Sequence, residues 1–127
     1  MYQYHQPYGK KVTAGTGGRT RKFKAKKVAH LGGVFASTKV APKDVKESVR
    51  GRGGALGIKL KKASMVNVVS KTGMRQVKMI RVLDSPNPEY VRMNIVTRGA
   101  VVETEMGKVR VTNRVGQDGI VNGILIS

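Results

Sequence analysis

Three stretches have residue types and spacing that suggest catalytic or cofactor chemistry. The first is "TAGTGGRT" at 13–20. A phosphate-cradling Walker loop needs glycine, four residues, then Gly-Lys-Ser/Thr, set between a strand and a helix. Here Arg19 stands in the lysine's place, and the leading glycine is misplaced. No apolar strand precedes the stretch and no amphipathic helical pattern follows, so it is not read as a nucleotide loop. The second is "GRGGALG" at 51–57. Gly51 and Gly53 fit a dinucleotide fingerprint, but Leu56 occupies the third glycine's position. That stretch reads as a hairpin turn or bulge ahead of a strand beginning near Leu56. The third is the pair Glu103 and Glu105, which would share a face if both lay on one strand. Paired carboxylates can do general acid–base work. The simpler expectation is a polar strand face, paired across the "MG" turn with Lys108 or Arg110.

Other catalytic equipment is missing. The chain has no cysteine, and only His5 and His30 offer an imidazole. Thiolate nucleophiles, disulfides and Cys/His metal sites are therefore excluded. No serine has a histidine nearby in sequence. Asp84 and Asp118 sit in turn-like stretches, where Asp is expected for its local hydrogen bonds. The six methionines are expected to fill gaps in a core. The reading is of a protein that is not an enzyme, with no cofactor, no metal and no small-molecule substrate.

The chemistry that is present is recognition of phosphate. Arg19, Arg21, Lys22, Lys24, Lys26 and Lys27 fall within nine residues, and Lys10 and Lys11 precede them. Such side chains neutralise phosphates and release counterions. Thr16, Gly17 and Gly18 would let the backbone approach a phosphate chain closely. Tyr2, Tyr4 and Tyr8 are candidates for stacking on unpaired bases, at about 1–3 kcal/mol each. Arg50 and Arg52 lie in "RGRGG", followed by Lys59, Lys61 and Lys62 on a basic strand edge. Those lysines could equally discourage unwanted pairing at an exposed edge. Their position beside the two arginines favours a binding face.

The charge balance agrees. Lys and Arg total 25 against 7 acids, a net charge of +18. Residues 1–62 carry 16 basic and 2 acidic residues, net +14; residues 63–127 carry 9 and 5, net +4. No acid occurs before Asp44. Self-repulsion on this scale is relieved by a polyanion. An anionic membrane would instead call for an amphipathic helix with a broad apolar face, and none is evident. Nor is there a signal-peptide core or a run of ~18 apolar residues, so a soluble intracellular protein is expected.

The elements that must position these residues read as follows. Between Gly9 and Lys27 the apolar side chains are Val12, Ala14, Phe23 and Ala25. That is too few to offset the entropy of ordering without a partner. "PKDVKESV" at 42–49 is read as one or two helical turns. From Leu56 onward the pattern is of strands. Leu56, Ile58 and Leu60 alternate with polar or small residues, as do Val91, Met93 and Ile95, and Val109 and Val111. Val77 and Met79 share one phase while Ile80 and Val82 take the other, which predicts a bulge or burial on both faces. "GIVNGILI" at 119–126 is apolar on both faces apart from Asn122, as in a central or barrel-closing strand. Turn sequences at 71–73, 84–88, 98–99, 106–107 and 116–119 separate the runs. The fold class is all-β: a small β-barrel-like domain of short strands over 34–127, with a basic, largely irregular N-terminal extension over 1–33.

The long string "NPEYVRMNIVTRGAVVETEMGKVRVTNRVGQDGIVNGILI" at 87–126 resembles the archaeal S8e family of small-subunit ribosomal proteins. "TGG" at 16–18 before the basic run, and "GG" at 53–54 leading into a basic strand, are similar to that family too. Val115 stands where the family pattern has proline, and Ala55 and Leu56 where it has Asn and a basic residue. The resemblance implies a barrel-like domain, an extension embedded in ribosomal RNA, no catalysis and a cytoplasmic ribosome. It also implies small-subunit ribosomal RNA and neighbouring ribosomal proteins as partners, with no membrane. From composition alone, a free-standing RNA-binding module, such as an RNA chaperone or translational regulator, is the alternative. A flexible basic arm on a small β-domain suits folded RNA in either case.

Overall fold

The computed structural model describes residues 3–4, 12, 15–18, 28–70 and 73–126; for Gln3, Ala29 and Arg52 it describes the backbone only. The chain divides into two units, Met1–Phe35 and Ala36–Ser127. In the first, β1 (Gln3–Tyr4) pairs antiparallel with β2 (Leu31–Gly32), directly after a 3-10 turn at Val28–His30. Tyr4 meets His30 edge to face, with ring centres 5.9 Å apart and a 3.4 Å contact from its hydroxyl to Nδ1.

The second unit holds the barrel. Its strands are β3 (Lys39–Val40), β4 (Val45–Arg50), β5 (Leu56–Ala63), β6 (Met65–Ser70), β7 (Gly73–Asp84), β8 (Val101–Thr104), β9 (Gly107–Val111) and β10 (Asn122–Ile126). Two short helices, α1 (Pro88–Arg92) and α2 (Val115–Asp118), interrupt them. Five strands close the barrel in the order β10-β6-β7-β8-β9, and β3-β5-β4 form a separate three-stranded sheet. The last strand makes the closure: β10 runs antiparallel to β9 and parallel to β6. A single residue, Ser64, separates β5 from β6, so one length of chain serves both sheets.

The interior is built mainly of valine. Val66, Val68, Val77, Val82, Val102, Val109 and Val111 are buried there, joined by Met79, Leu60, Ala63 and Ala100. A barrel of few strands has a narrow interior. Valine suits it because it is short and its β-branch already favours extended backbone. Gly123 is buried between strands; a Cβ there would overlap the Val109 side chain and lie 2.9 Å from the Arg110 carbonyl oxygen.

Several sequence expectations hold. The β7 bulge is real: its register with β8 shifts between Met79 and Arg81 and again between Val82 and Asp84. Val77, Met79 and Val82 thereby all reach the core while Ile80 faces out. "RGRGG" forms the turn of the β4–β5 hairpin, closed by Gly51 N–H donating to the Ala55 carbonyl at 2.6 Å.

Other expectations are overturned. "PKDVKESV" is not helical: Val45–Arg50 is a strand, because pairing along β5 outweighs weak local helix propensity. Residues 91–95 are not a strand. Asn87 Oδ1 accepts from Glu89 N–H at 3.2 Å, Pro88 begins α1, and Asn94 turns left-handed (φ 51) beyond it. Val91, in α1, packs partly buried against the core, and Ile95, past the Asn94 turn, is buried where it bridges to Lys39. The methionines are not core filler: Met79 alone of the described five is buried. The last strand closes the barrel as expected but is not buried on both faces, since Ile124 and Ile126 stay exposed. Val115, standing in a proline's place, is the first helical residue of α2, a position where proline's fixed φ is welcome; its side chain is buried.

Gly123→Ala is expected to lower the stability of the protein by about 1–3 kcal/mol, the usual cost of overpacking against atoms that cannot move aside. Gly57→Ala, where a Cβ would meet nothing nearer than 3.8 Å, is expected to be neutral or slightly stabilising. Denaturant midpoints of the two variants check this, and equal losses would argue against the tight β9–β10 approach.

Candidate nucleic-acid interface

Thr16, Gly17 and Gly18 are all exposed, and Gly17 holds a left-handed φ of 67° with nothing within 4 Å of where a Cβ would be. The turn thus presents bare backbone to its surroundings, as close approach requires. Tyr4 is half-buried against His30, so part of its ring is already engaged within the chain. Tyr2, Tyr8, Lys10, Lys11, Arg19, Arg21, Lys22, Lys24, Lys26 and Lys27 lie outside the described residues.

In the second unit the basic residues of 59–62 do not form a strand edge. β5 is the central strand of its sheet, between β3 and β4. A simple period of two would place Lys59 and Lys61 on one face and Lys62 on the other, with Leu60. The register shows otherwise. Lys59 lies opposite Glu47 and Lys62 opposite Val45, with a shift between Val45 and Lys46. Glu47 and Val45 are two apart on β4, so Lys59 and Lys62 share a face. The extra residue, Lys61, reaches Glu47 Oε2 at 3.5 Å from that same side. Leu60 and Ala63, three apart, are both buried on the other side. The bulge therefore gathers three lysines onto one face.

Lys39, absent from the sequence-derived set, joins them. It is exposed and pairs with Lys62 through the parallel β3–β5 contact. A parallel pairing between strands more than twenty residues apart leaves no local signal in the sequence. Lys39, Lys59, Lys61 and Lys62 thus face one way with a single carboxylate, Glu47, among them. Arg50 is exposed too, but it pairs with Leu56, and alternation along β4 puts it on the opposite face of the hairpin. Its guanidinium folds back beside Gly54. Arg52 lies in the hairpin turn, its side chain outside the described residues.

One carboxylate holds this sheet against the barrel corner. Asp44 Oδ1 accepts from both the N–H and the hydroxyl of Ser64, at 2.6 and 2.7 Å. The Ala41 N–H donates to the Ala63 carbonyl at 3.0 Å on the same turn. These bonds set where β3 and β4 leave the β5–β6 bend, and so where Lys39 stands.

The acid pair does not survive as a catalytic candidate. Glu103 is on β8, opposite Lys108 on β9 as expected, but its carboxylate goes to Arg81 on β7, with Nε to Oε2 at 2.6 Å. Glu105 is in the β8–β9 turn rather than on the strand, so the two acids do not share a strand face. Asp84 and Asp118 make the expected local bonds, to Ser85 N–H at 2.8 Å and to Arg114 N–H at 3.1 Å. Among the described residues no cluster of His, Asp or Glu is placed to hold a metal ion, and no helix is long and apolar enough to cross a membrane.

Comparison with known proteins gives one consistent result. The family model described as Ribosomal protein S8e matches residues 8–126. The chain is 42% identical to small ribosomal subunit protein eS8 of Sulfolobus acidocaldarius, across 99% of this chain and 98% of that protein. It is 41% identical to the eS8 protein of Nanoarchaeum equitans across 98% of both chains, and 39% identical to that of Hyperthermus butylicus across 99% and 93%.

Asp44→Ala is expected to cost about 1–2 kcal/mol, because it strips the Ser64 N–H and hydroxyl of their shared, charge-assisted acceptor. Ser64→Ala, which keeps the backbone bond, should cost less. Thermal unfolding of both variants measures the difference; an Asp44→Ala protein as stable as the parent would remove this anchor from the account.

Proposed function

We propose, from the premise that this chain belongs to the ribosomal protein S8e family, that it binds and stabilises folded small-subunit ribosomal RNA through two basic surfaces. Family membership makes it a ribosomal protein of the small subunit, akin to archaeal homologues, working in the cytoplasmic ribosome and not as an enzyme. Its partners are ribosomal RNA and the proteins around it in the subunit.

The first surface is the N-terminal segment, with the turn at Thr16, Gly17 and Gly18. Residues 1–35 carry eight basic residues and no acid, so nothing of opposite sign within the segment itself can balance them. That imbalance is the observation that carries the proposal. A crowded phosphate surface supplies the missing countercharge. Lys10, Lys11, Arg19, Arg21, Lys22, Lys24, Lys26 and Lys27 are its phosphate contacts, and Tyr2, Tyr4 and Tyr8 its stacking groups. The second surface is the lysine face of Lys39, Lys59, Lys61 and Lys62; Arg50, on the hairpin's other face, and Arg52, in its turn, would make separate phosphate contacts. These lysines sit on paired strands, so they meet RNA with backbone positions already fixed. They contribute position more than sequence choice, as phosphate contacts generally do.

With about eight phosphate contacts, the slope of log affinity against log salt should be about −6 to −7. Deleting residues 1–30 is expected to flatten that slope and remove most of the affinity. Glu47→Gln, which removes the one carboxylate from the lysine face, is expected to tighten binding. Filter binding to small-subunit RNA across a salt series reads all three, and a salt-insensitive affinity would defeat the electrostatic reading. Sucrose-gradient sedimentation separates this role from that of a free-standing RNA module: the ribosomal protein stays with small subunits in high salt, whereas the module is released.

A further inference from the structure

The outer face of the barrel carries an apolar row that neither basic surface uses. Register places Met74 on β7 opposite Val69 on β6, Val69 beside Ile124 on β10, and Ile124 opposite Arg110 on β9. Met74 is 75% exposed, Ile124 54% and Val69 45%. Ile126, two residues along β10 and 42% exposed, extends the row toward its partner Lys108. Single exposed apolar residues are ordinary on protein surfaces. Side chains on directly opposed strand positions, however, stand only about 4.5–5.5 Å apart at Cβ, so these form one continuous strip. The next row down is polar: Gln76, Asn67 and Asn122, with Asn67 Nδ2 donating to Asn122 Oδ1 at 3.0 Å. Ile80 on β7 and Met65 on β6 are exposed too, but the polar row separates the strip from Met65, and Met74, Val69, Ile124 and Ile126 stand together as one apolar patch, the pattern of a docking site.

The strip's border identifies the occupant. Arg110 and Lys108 line one side, both exposed, and neither has an ion-pair partner among the described residues. Glu103, opposite Lys108, is committed to Arg81. A second copy of this chain would bring like charge against like, since residues 36–127 hold 17 basic and 7 acidic residues. RNA would satisfy the cations but not the strip: Tyr90, in α1, is the only aromatic of that unit, so the barrel's outer strands have no platform on which a base could stack.

We infer that this face, from Met74 to Ile126, docks a neighbouring protein of the small subunit, through a segment whose apolar side chains are flanked by carboxylates that meet Arg110 and Lys108. The inference rests on the ribosomal reading above. To test it, a photoreactive benzophenone residue is placed at Val69, at Ile124 or, separately, at Lys62, and the full chain is assembled into small subunits before irradiation. Mass spectrometry then identifies the linked peptide or nucleotide. Positions 69 and 124 are expected to link to one Asp- or Glu-bearing segment of another ribosomal protein. In unmodified subunits, a zero-length carbodiimide link should join Lys108 to a carboxylate of the same segment, a measurement that needs no substitution. Links from 69 and 124 to RNA or to a second copy, or no link at either position together with no carbodiimide link, overturn the inference. Position 62 reports the RNA reading by itself: an RNA link there with no protein link from the strip removes this inference alone, and the reverse removes the lysine-face reading alone.

Discussion

Closure of the barrel by β10 is the constraint on which the rest depends. This strand must pair with β9 on one side and β6 on the other, and it does so in opposite senses. It fits because Gly123 has no side chain where Val109 and the Arg110 carbonyl press in. Behind it lies an interior filled by short, β-branched side chains, which tolerate little change of volume. Closing the ring also removes the free edges that a five-stranded open sheet would expose. A domain of this size with a net positive charge gains little from its surface electrostatics, so the packed valine interior and the complete strand ladder must supply its cohesion.

The same closure governs where the cations go. The chain leaves the three-stranded sheet at Ala63, turns at Ser64 and enters the barrel at Met65. Both Leu60 and Ala63 must face the core before that turn, and they are three residues apart. Only an irregularity in the alternation allows this, and its consequence is that Lys61 and Lys62 both face away from the core, beside Lys59. Packing thus dictates the lysine face. The β7 bulge is the counterpart within the barrel, delivering Met79 and Val82 inward across the same odd spacing. In both places a displaced register serves the interior first, and the surface pattern follows from it.

The two basic regions differ in how they are built. Residues 1–35 carry eight basic residues and no acid. The lysines of 39 and 59–62 are mounted on strands whose backbone is paired independently of any partner. A ribosomal protein with both kinds of surface can gain affinity from the first and orientation from the second.

Much was readable from the residues alone. The +18 charge and its concentration before residue 63 pointed to a polyanion, and the missing cysteines and isolated histidines excluded most catalytic sites. Alternation identified β5 and β9, the mismatched phases around Met79 predicted the bulge, and 87–126 resembled its family directly. These properties are local or compositional, so a linear string carries them. The errors arose where contacts distant in sequence decide. "PKDVKESV" becomes a strand because β5 offers it a partner, and 91–95 is not a strand because Asn87 and Pro88 start a helix and Ile95 bridges to the distant Lys39. Glu103 finds Arg81, 22 residues away, and Lys39 finds Lys62 through a parallel pairing. Which side chains share a face depends on register, and a one-residue shift in register reverses the answer. Charge and composition therefore pointed to the kind of molecule this protein meets, while only the pairing of distant strands decided which residues stand together on one face.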